Sequence, residues 1–245
     1  MTAAAGTQEG GTLLGGRVIY TQLNIGYRTG LEPVLLAASL PARAGERVVE
    51  AGTGAGAALL CLCARVQGVT ALGLEQDAVL AALAAANARE NGFAGMEVAC
   101  RDVESWRADA PFDHAMANPP WHDPASTESP DQGRRAAKVA SDGLVGRWAS
   151  ALGRGLRRRG SLTMILPAAH LAQGAGALVA AGCAEQSLMP LWPRAGVPAK
   201  LILLRGTKDG RGHCQVLPGL VLHETDGRFT EAAERILRGG AALPF

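Results

Sequence analysis

The sequence predicts a Rossmann-like α/β fold, a doubly wound and mostly parallel sheet of seven strands. Apolar strand segments alternate with helical ones along nearly the whole chain, and the first strong strand runs straight into a glycine turn and a helix. Each helix–strand boundary also carries its own stop signal. Val48-Val49-Glu50-Ala51 is the first strand, Gly52-Thr53-Gly54-Ala55-Gly56 the turn, and Ala57 to Arg65 the helix. Thr70 to Glu75 is the second strand, followed by a helix from Asp77 to Asn91 that Gly92 closes. Met96 to Cys100 and Asp113 to Ala117 are the third and fourth strands. Leu144 to Leu156 is read as a helix, Ser161 to Leu166 as the fifth strand, and Ala168 to Ala181, ending at Gly182, as a further helix. Ser187 to Pro190 and Lys200 to Arg205 supply the last two strands, with Lys208 to Arg211 as a turn. Pro124 to Ser141 has no clear period and is expected to be a long mobile loop. In such sheets ligands bind beyond the strand C-termini, which places the glycine turn, Glu75, Asp102 and Asn118 at one edge.

A chain of 245 residues accommodates one large domain, here 15–245, after a flexible start over 1–14. Hydrophobic residues make up 48% and charged residues 19%, a globular balance that argues against bulk disorder. The five cysteines are odd in number and lack paired spacing, so reduced buried thiols are expected, with no disulfide framework and no metal. No apolar run reaches the roughly 18–20 residues of a membrane span, and the N-terminus has no basic-then-apolar leader, so a cytoplasmic location is expected. Net charge is only +2, but Arg134, Arg135, Lys138, Arg147, Arg154, Arg157, Arg158 and Arg159 face a single nearby acid, Asp142. This run is either a patch for a polyanion such as nucleic acid or a solvated helix face.

The fourth strand ends in Asn118-Pro119-Pro120-Trp121. A residue before proline is pushed out of the α region, so this loop holds its oxygens in an extended arrangement. The Asn118 carboxamide oxygen and the Pro119 carbonyl are suited to accept both hydrogens of an exocyclic amine such as adenine N6. That would pyramidalise the nitrogen and turn its lone pair toward an incoming methyl group. Trp121 adds a face on which a base can stack. A simple turn leaving a strand is the plainer reading of the same residues.

The glycine spacing is G-x-G-x-G rather than the dinucleotide G-x-G-x-x-G, and Glu50 precedes it; this suits a loop around the methionine and ribose of S-adenosylmethionine. Gly52, Gly54 and Gly56 are the expected contacts, with Glu75 accepting the ribose hydroxyls as it would for NAD. Asp102 either accepts from the cofactor's adenine amine or caps the turn after it. Tyr27 and Arg28 are read either as closing over the cofactor, Arg28 near its carboxylate, or as part of a plain capped loop before the next helix. His122 and Asp123 read as exposed loop residues, and His114 as a packing residue. Cys61 and Cys63, at i and i+2 on a helix, point apart and do not form a metal pair.

Together, Gln22 to Pro33, Glu50 to Gly56, Glu75 and Asn118 to Trp121 resemble the class I S-adenosylmethionine-dependent methyltransferases. More narrowly they are similar to the bacterial tRNA1(Val) (adenine-37-N6)-methyltransferase family, over roughly residues 15 to 240. The stretch from Leu220 to Thr230 looks like that group's C-terminal hairpin and helix. The resemblance implies cofactor contacts at the glycine loop and Glu75, target-base contacts at Asn118, Pro119 and Trp121, and a tRNA substrate. Trp121 departs from the more usual Tyr or Phe. Protein glutamine N5-methylation and rRNA guanine N2-methylation share the motif. The former group carries a helical domain before its first strand, for which there is little room here. A silent RNA-binding module and an NAD oxidoreductase leave the intact Asn118 motif unexplained.

Overall fold

A computed structural model describes residues 10–23, 29–120 and 133–245, with backbone alone between 133 and 142. Tyr27, Arg28, Trp121, His122 and Asp123 therefore lie outside the described residues, as do the side chains of Arg134, Arg135 and Lys138.

The chain opens with an antiparallel ribbon of β1 (Gly11–Leu13) and β2 (Val18–Tyr20), so the expected flexible start is ordered from Gly11. Next come α1 (Glu32–Ser39), β3 (Arg47–Ala51), α2 (Ala57–Arg65), β4 (Thr70–Glu75) and α3 (Ala78–Glu90). Asp77 caps α3 by accepting from the Val79 and Leu80 amides at 2.8 and 3.1 Å, and Gly92 ends it in the left-handed region at φ +70°. β5 (Met96–Cys100), β6 (Phe112–Ala117), α4 (Gly133–Gly155), β7 (Leu156–Pro167), α5 (Leu171–Ala180), β8 (Glu185–Trp192) and β9 (Leu201–Thr207) complete the alternation. Two short edge strands, β10 (Gln215–Val216) and β11 (Leu220–Val221), both pair with β8. A His223–Phe229 bridge closes the expected hairpin turn, and α6 (Glu231–Leu237) follows with Thr230 as its cap.

The sheet order is β10-β8-β9-β7-β6-β3-β4-β5, with β11 also on β8 and β9 antiparallel to both β7 and β8. Strand alternation divides the core between the two faces. Val48, Ala71, Met116 and Leu203 join α1, α2 and α6 on one side, while Val49, Leu74, Ala115 and Leu204 join α4 and α5 on the other. The strand order reverses beside β3, flanked by β4 and β6, and that is where ligands settle in such folds.

Two expectations change. Helix α4 starts at Gly133, so the part of the expected loop from 133 to 141 is helical; its low-propensity glycines at 133, 143 and 146 hid it. β7 begins at Leu156, five positions before the expected Ser161, across a register shift opposite Phe112 to His114. Arg159 at the bulge takes φ +64°, a conformation that three consecutive arginines do not announce. All five cysteines are free thiols, but only Cys61, Cys63 and Cys183 are buried; Cys100 and Cys214 are exposed.

Asn87 fastens the front of the fold. It is 1% exposed, accepts from the Thr21 amide at 3.1 Å, and donates to the Thr21 and Ala55 carbonyls at 2.9 Å each. Asn87→Ala strands buried backbone groups on both the ribbon exit and the glycine loop. The expected loss is about 2–4 kcal/mol of stability in denaturant unfolding, since each orphaned group costs roughly 1–3 kcal/mol.

Candidate functional site

A pocket of about 790 Å³ opens at the C-terminal ends of the parallel strands. Its wall takes Gly52 to Ala55 after β3, Glu75 and Gln76 after β4, Arg101 to Glu104 after β5, Asn118 to Pro120 after β6, and Ile165 to Pro167 at the end of β7. Gln22, Thr29 and Glu32 close one side, and Leu144 and Trp148 of α4 cover another. The volume falls within the roughly 300–1,000 Å³ range of small-molecule sites.

The glycine loop is held by its neighbours. The Gly52 and Thr53 amides both donate to the Leu74 carbonyl, at 2.8 and 3.1 Å, and the Gly54 amide donates to Glu75 Oε2 at 2.9 Å. Gly54 has φ +56°, and a Cβ there would meet only open space, so its backbone is bare toward the pocket. Gly52, at φ +64°, lies under the Trp148 ring, which occupies the space a side chain would need. Gly56 does not line the pocket. Its missing side chain faces Met96 and Ala84, so its role is to pack the turn against β5 and α3 and start α2, a correction to its expected cofactor contact.

Glu75 uses Oε2 for Gly54 and Oε1 for the Asp77 amide at 2.9 Å, which fixes the carboxylate with its remaining lone pairs for a ligand. Asp102 caps the turn after it, Oδ1 accepting from the Glu104 amide at 3.0 Å, and the residue lines the pocket. Asn118 has no hydrogen-bond partner among the described residues, and Pro119 lies beside it in the wall. Trp148, Arg101, Glu32 and Thr53 are pocket residues that the motifs did not single out.

Glu50 is 3% exposed and accepts from the Thr53 hydroxyl at 2.6 Å. Burial pushes its carboxyl up to about 8, opposed by the Thr53 hydrogen bond and reinforced by the nearby Glu75 charge. Glu50 is therefore a neutral hydrogen-bonding group at neutral pH. An acid whose pKa is raised on folding contributes most below its unfolded value of about 4.5, and that contribution is lost as pH rises through about 8. Thermal melts of wild type are expected to lose stability between pH 5 and pH 8 relative to Glu50→Gln, which removes the linkage.

Three arginines of the basic run lie away from the pocket. Arg157, Arg158 and Arg159 occupy the start of β7, level with the start of β6, whereas the pocket lies at the opposite strand ends. Arg157 pairs with Asp113 at 2.5 Å and Arg159 with Glu185 at 2.8 Å, while Arg147 pairs with Glu104 at 2.6 Å. The direction of β7 carries the arginines away from the site. His114, at that same far end, packs between Ser161 Oγ at 2.8 Å and Glu46 Oε2 at 3.1 Å, as a buried structural residue.

A family model described as the methyltransferase small domain matches residues 32–145, the span from α1 through the glycine loop and Asn118 into α4. That match covers a little under half of the chain, and the structure has the class I methyltransferase fold. The chain is 30% identical over 125 residues to the tRNA1(Val) (adenine(37)-N6)-methyltransferase of Enterobacter sp. (strain 638), a match covering 48% of this chain. That match spans about half of the relative, 51% of its length. Among solved structures, the predicted O-methyltransferase Atu636 from Agrobacterium tumefaciens superposes with a TM-score of 0.71 at 24% identity, over 86% of this chain and 98% of that one. The geranyl diphosphate C-methyltransferase from Streptomyces coelicolor A3(2) gives 0.52 at 14% identity, over 72% and 74% of the two chains. Both structural likenesses speak to the methyltransferase fold alone. No helix among the described residues is long and apolar enough to cross a membrane.

Proposed function

We propose that this chain is an S-adenosylmethionine-dependent methyltransferase that transfers a methyl group to the N6 amine of adenine in RNA, with a tRNA as substrate and the cytoplasm as its place of work. The observation that carries the reading is the unpartnered Asn118 carboxamide in the pocket wall, beside a proline whose carbonyl has no competing N–H of its own. The 30% identity to a tRNA adenine-N6 enzyme supports the choice of base and of RNA.

S-adenosylmethionine supplies a sulfonium-activated methyl group. Gly54 and its neighbours offer bare backbone to its ribose and methionine parts, and Glu75 offers carboxylate lone pairs to the ribose hydroxyls. Asp102 offers its second oxygen to the adenine end. Asn118 Oδ1 and the Pro119 carbonyl accept the two amine hydrogens and aim the nitrogen lone pair at the methyl carbon. Bound there, the cofactor would supply its methyl group to the amine nitrogen and would be released as a neutral thioether, with one proton of the amine passing to water. Most of the rate enhancement comes from alignment, so no strong base is required. Trp121 is assigned base stacking, and Tyr27 and Arg28 closure over the cofactor.

Label partition tests the substrate class. Isotope-labelled S-adenosylmethionine is offered with unmodified bulk tRNA in one reaction and with unmethylated translation release factor in another. Label in tRNA alone is expected. Label confined to protein would overturn the RNA assignment in favour of glutamine methylation.

A further inference from the structure

Among the polar groups of the pocket wall, one carboxylate oxygen is left without a partner. Glu32 Oε2 is closed off from solvent and makes no hydrogen bond, although Glu32 lines the pocket at the first position of α1. Its polar neighbours on the same side are engaged with one another. The Tyr20 hydroxyl meets Thr29 Oγ1 at 2.8 Å, and the Thr29 amide donates to Gln22 Oε1 at 3.2 Å. Gly30 makes room for the carboxylate, since a side chain there would run into Glu32 Oε2. A carboxylate accepts and does not donate, so an unpaired oxygen on a residue of the pocket wall calls for a donor that arrives with the ligand. Burying it unsatisfied is costly, and a cationic N–H donor offsets that cost best.

The layout of the pocket says which end of the ligand that donor belongs to. Glu75 and Asp102 follow β4 and β5, on the side given to the ribose and adenine. Glu32 lies on α1, which packs against α2 and β7 on the other side of β3, and the methyl group must lie toward β6 to reach Asn118. The methionine end therefore extends toward Glu32. That end carries an ammonium group with three N–H donors, whereas the sulfonium carries a charge but no hydrogen to donate.

We infer that Glu32 holds the α-ammonium group of the cofactor's methionine end, a specificity contact that orients the cofactor. The inference rests on the cofactor half of the proposed function and not on the RNA half. Calorimetric titration tests it with S-adenosylhomocysteine, which keeps the ammonium group, and its desamino analogue, which lacks it, against wild type and Glu32→Gln. Loss of the charge-assisted bond is expected to weaken S-adenosylhomocysteine binding by roughly 10- to 100-fold. The desamino analogue is expected to bind both proteins equally, and the free variant to melt no lower than wild type because the substitution breaks no hydrogen bond of Glu32 Oε2. Equal weakening for both ligands would make Glu32 a builder of the pocket wall and overturn the inference, as would unchanged affinity for both. Failure of wild type to bind S-adenosylhomocysteine at all would overturn the cofactor placement itself, an outcome distinct from either.

Discussion

Asn118→Ala is expected to lower kcat/KM for methyl transfer by about 10²- to 10³-fold, the scale seen when one preorganised polar contact to a transition state is removed. Affinity for S-adenosylhomocysteine is expected to stay close to that of wild type. Asn118 has no partner among the described residues, so its removal breaks no internal hydrogen bond and leaves the fold intact. Gly54 and Glu75, proposed to anchor the cofactor, are also untouched. What disappears is the acceptor that makes an amine pyramidal as the methyl arrives, an interaction stronger in the transition state than in the ground state. Steady-state kinetics beside calorimetry separates the two effects. A variant that loses cofactor affinity in step with activity would move Asn118 from chemistry to cofactor binding.

Gly52→Ala is expected to be the most damaging single methyl in the site. The residue has φ +64°, where a side chain costs about 1–2 kcal/mol, and the added Cβ runs into the Trp148 ring. Either the ring is driven into the pocket or α4 lifts from the sheet, so both cofactor affinity and melting temperature should fall, affinity by about tenfold or more. Shortening the obstacle with Trp148→Leu should recover the steric share and leave the backbone share in place. This coupling is measurable as a double-mutant cycle in thermal melts and S-adenosylhomocysteine titrations. Strict additivity of the two substitutions would show that Trp148 does not press on Gly52.

The parts of the fold that could be read from the sequence are those where local chemistry and global structure agree. Asp77 and Gly92 bracket α3 with a cap and a left-handed stop, and β4 is a mostly apolar run ending at Glu75, so their limits follow from residue type. The strand-to-glycine junction at Ala51 and the end of β6 at Ala117 brought Glu75, Asp102 and Asn118 to one edge through connectivity alone. What was hidden depends on packing between distant segments. Trp148 lies on a glycine-interrupted helix with no motif of its own, and only the sheet brings it to Gly52. Gly56 belongs to the same pattern as Gly52 and Gly54, but its direction is set by Ala84 and Met96. The arginines from 157 to 159 looked close to the site because they are close in sequence; a strand of 12 residues carries them to its far end. Glu32 stood inside the segment that resembles known methyltransferases, but an unpaired oxygen becomes visible only once every neighbour's partner is known.

The atom that receives the methyl group tests the account most directly. Unmodified bulk tRNA is treated with the enzyme and isotope-labelled S-adenosylmethionine, digested to nucleosides, and the labelled product identified by chromatography and mass spectrometry. The account predicts label in N6-methyladenosine from wild type and its near absence with Asn118→Ala. Label in N2-methylguanosine, or in a ribose-methylated nucleoside, would contradict the assignment of Asn118 and Pro119 to the adenine amine.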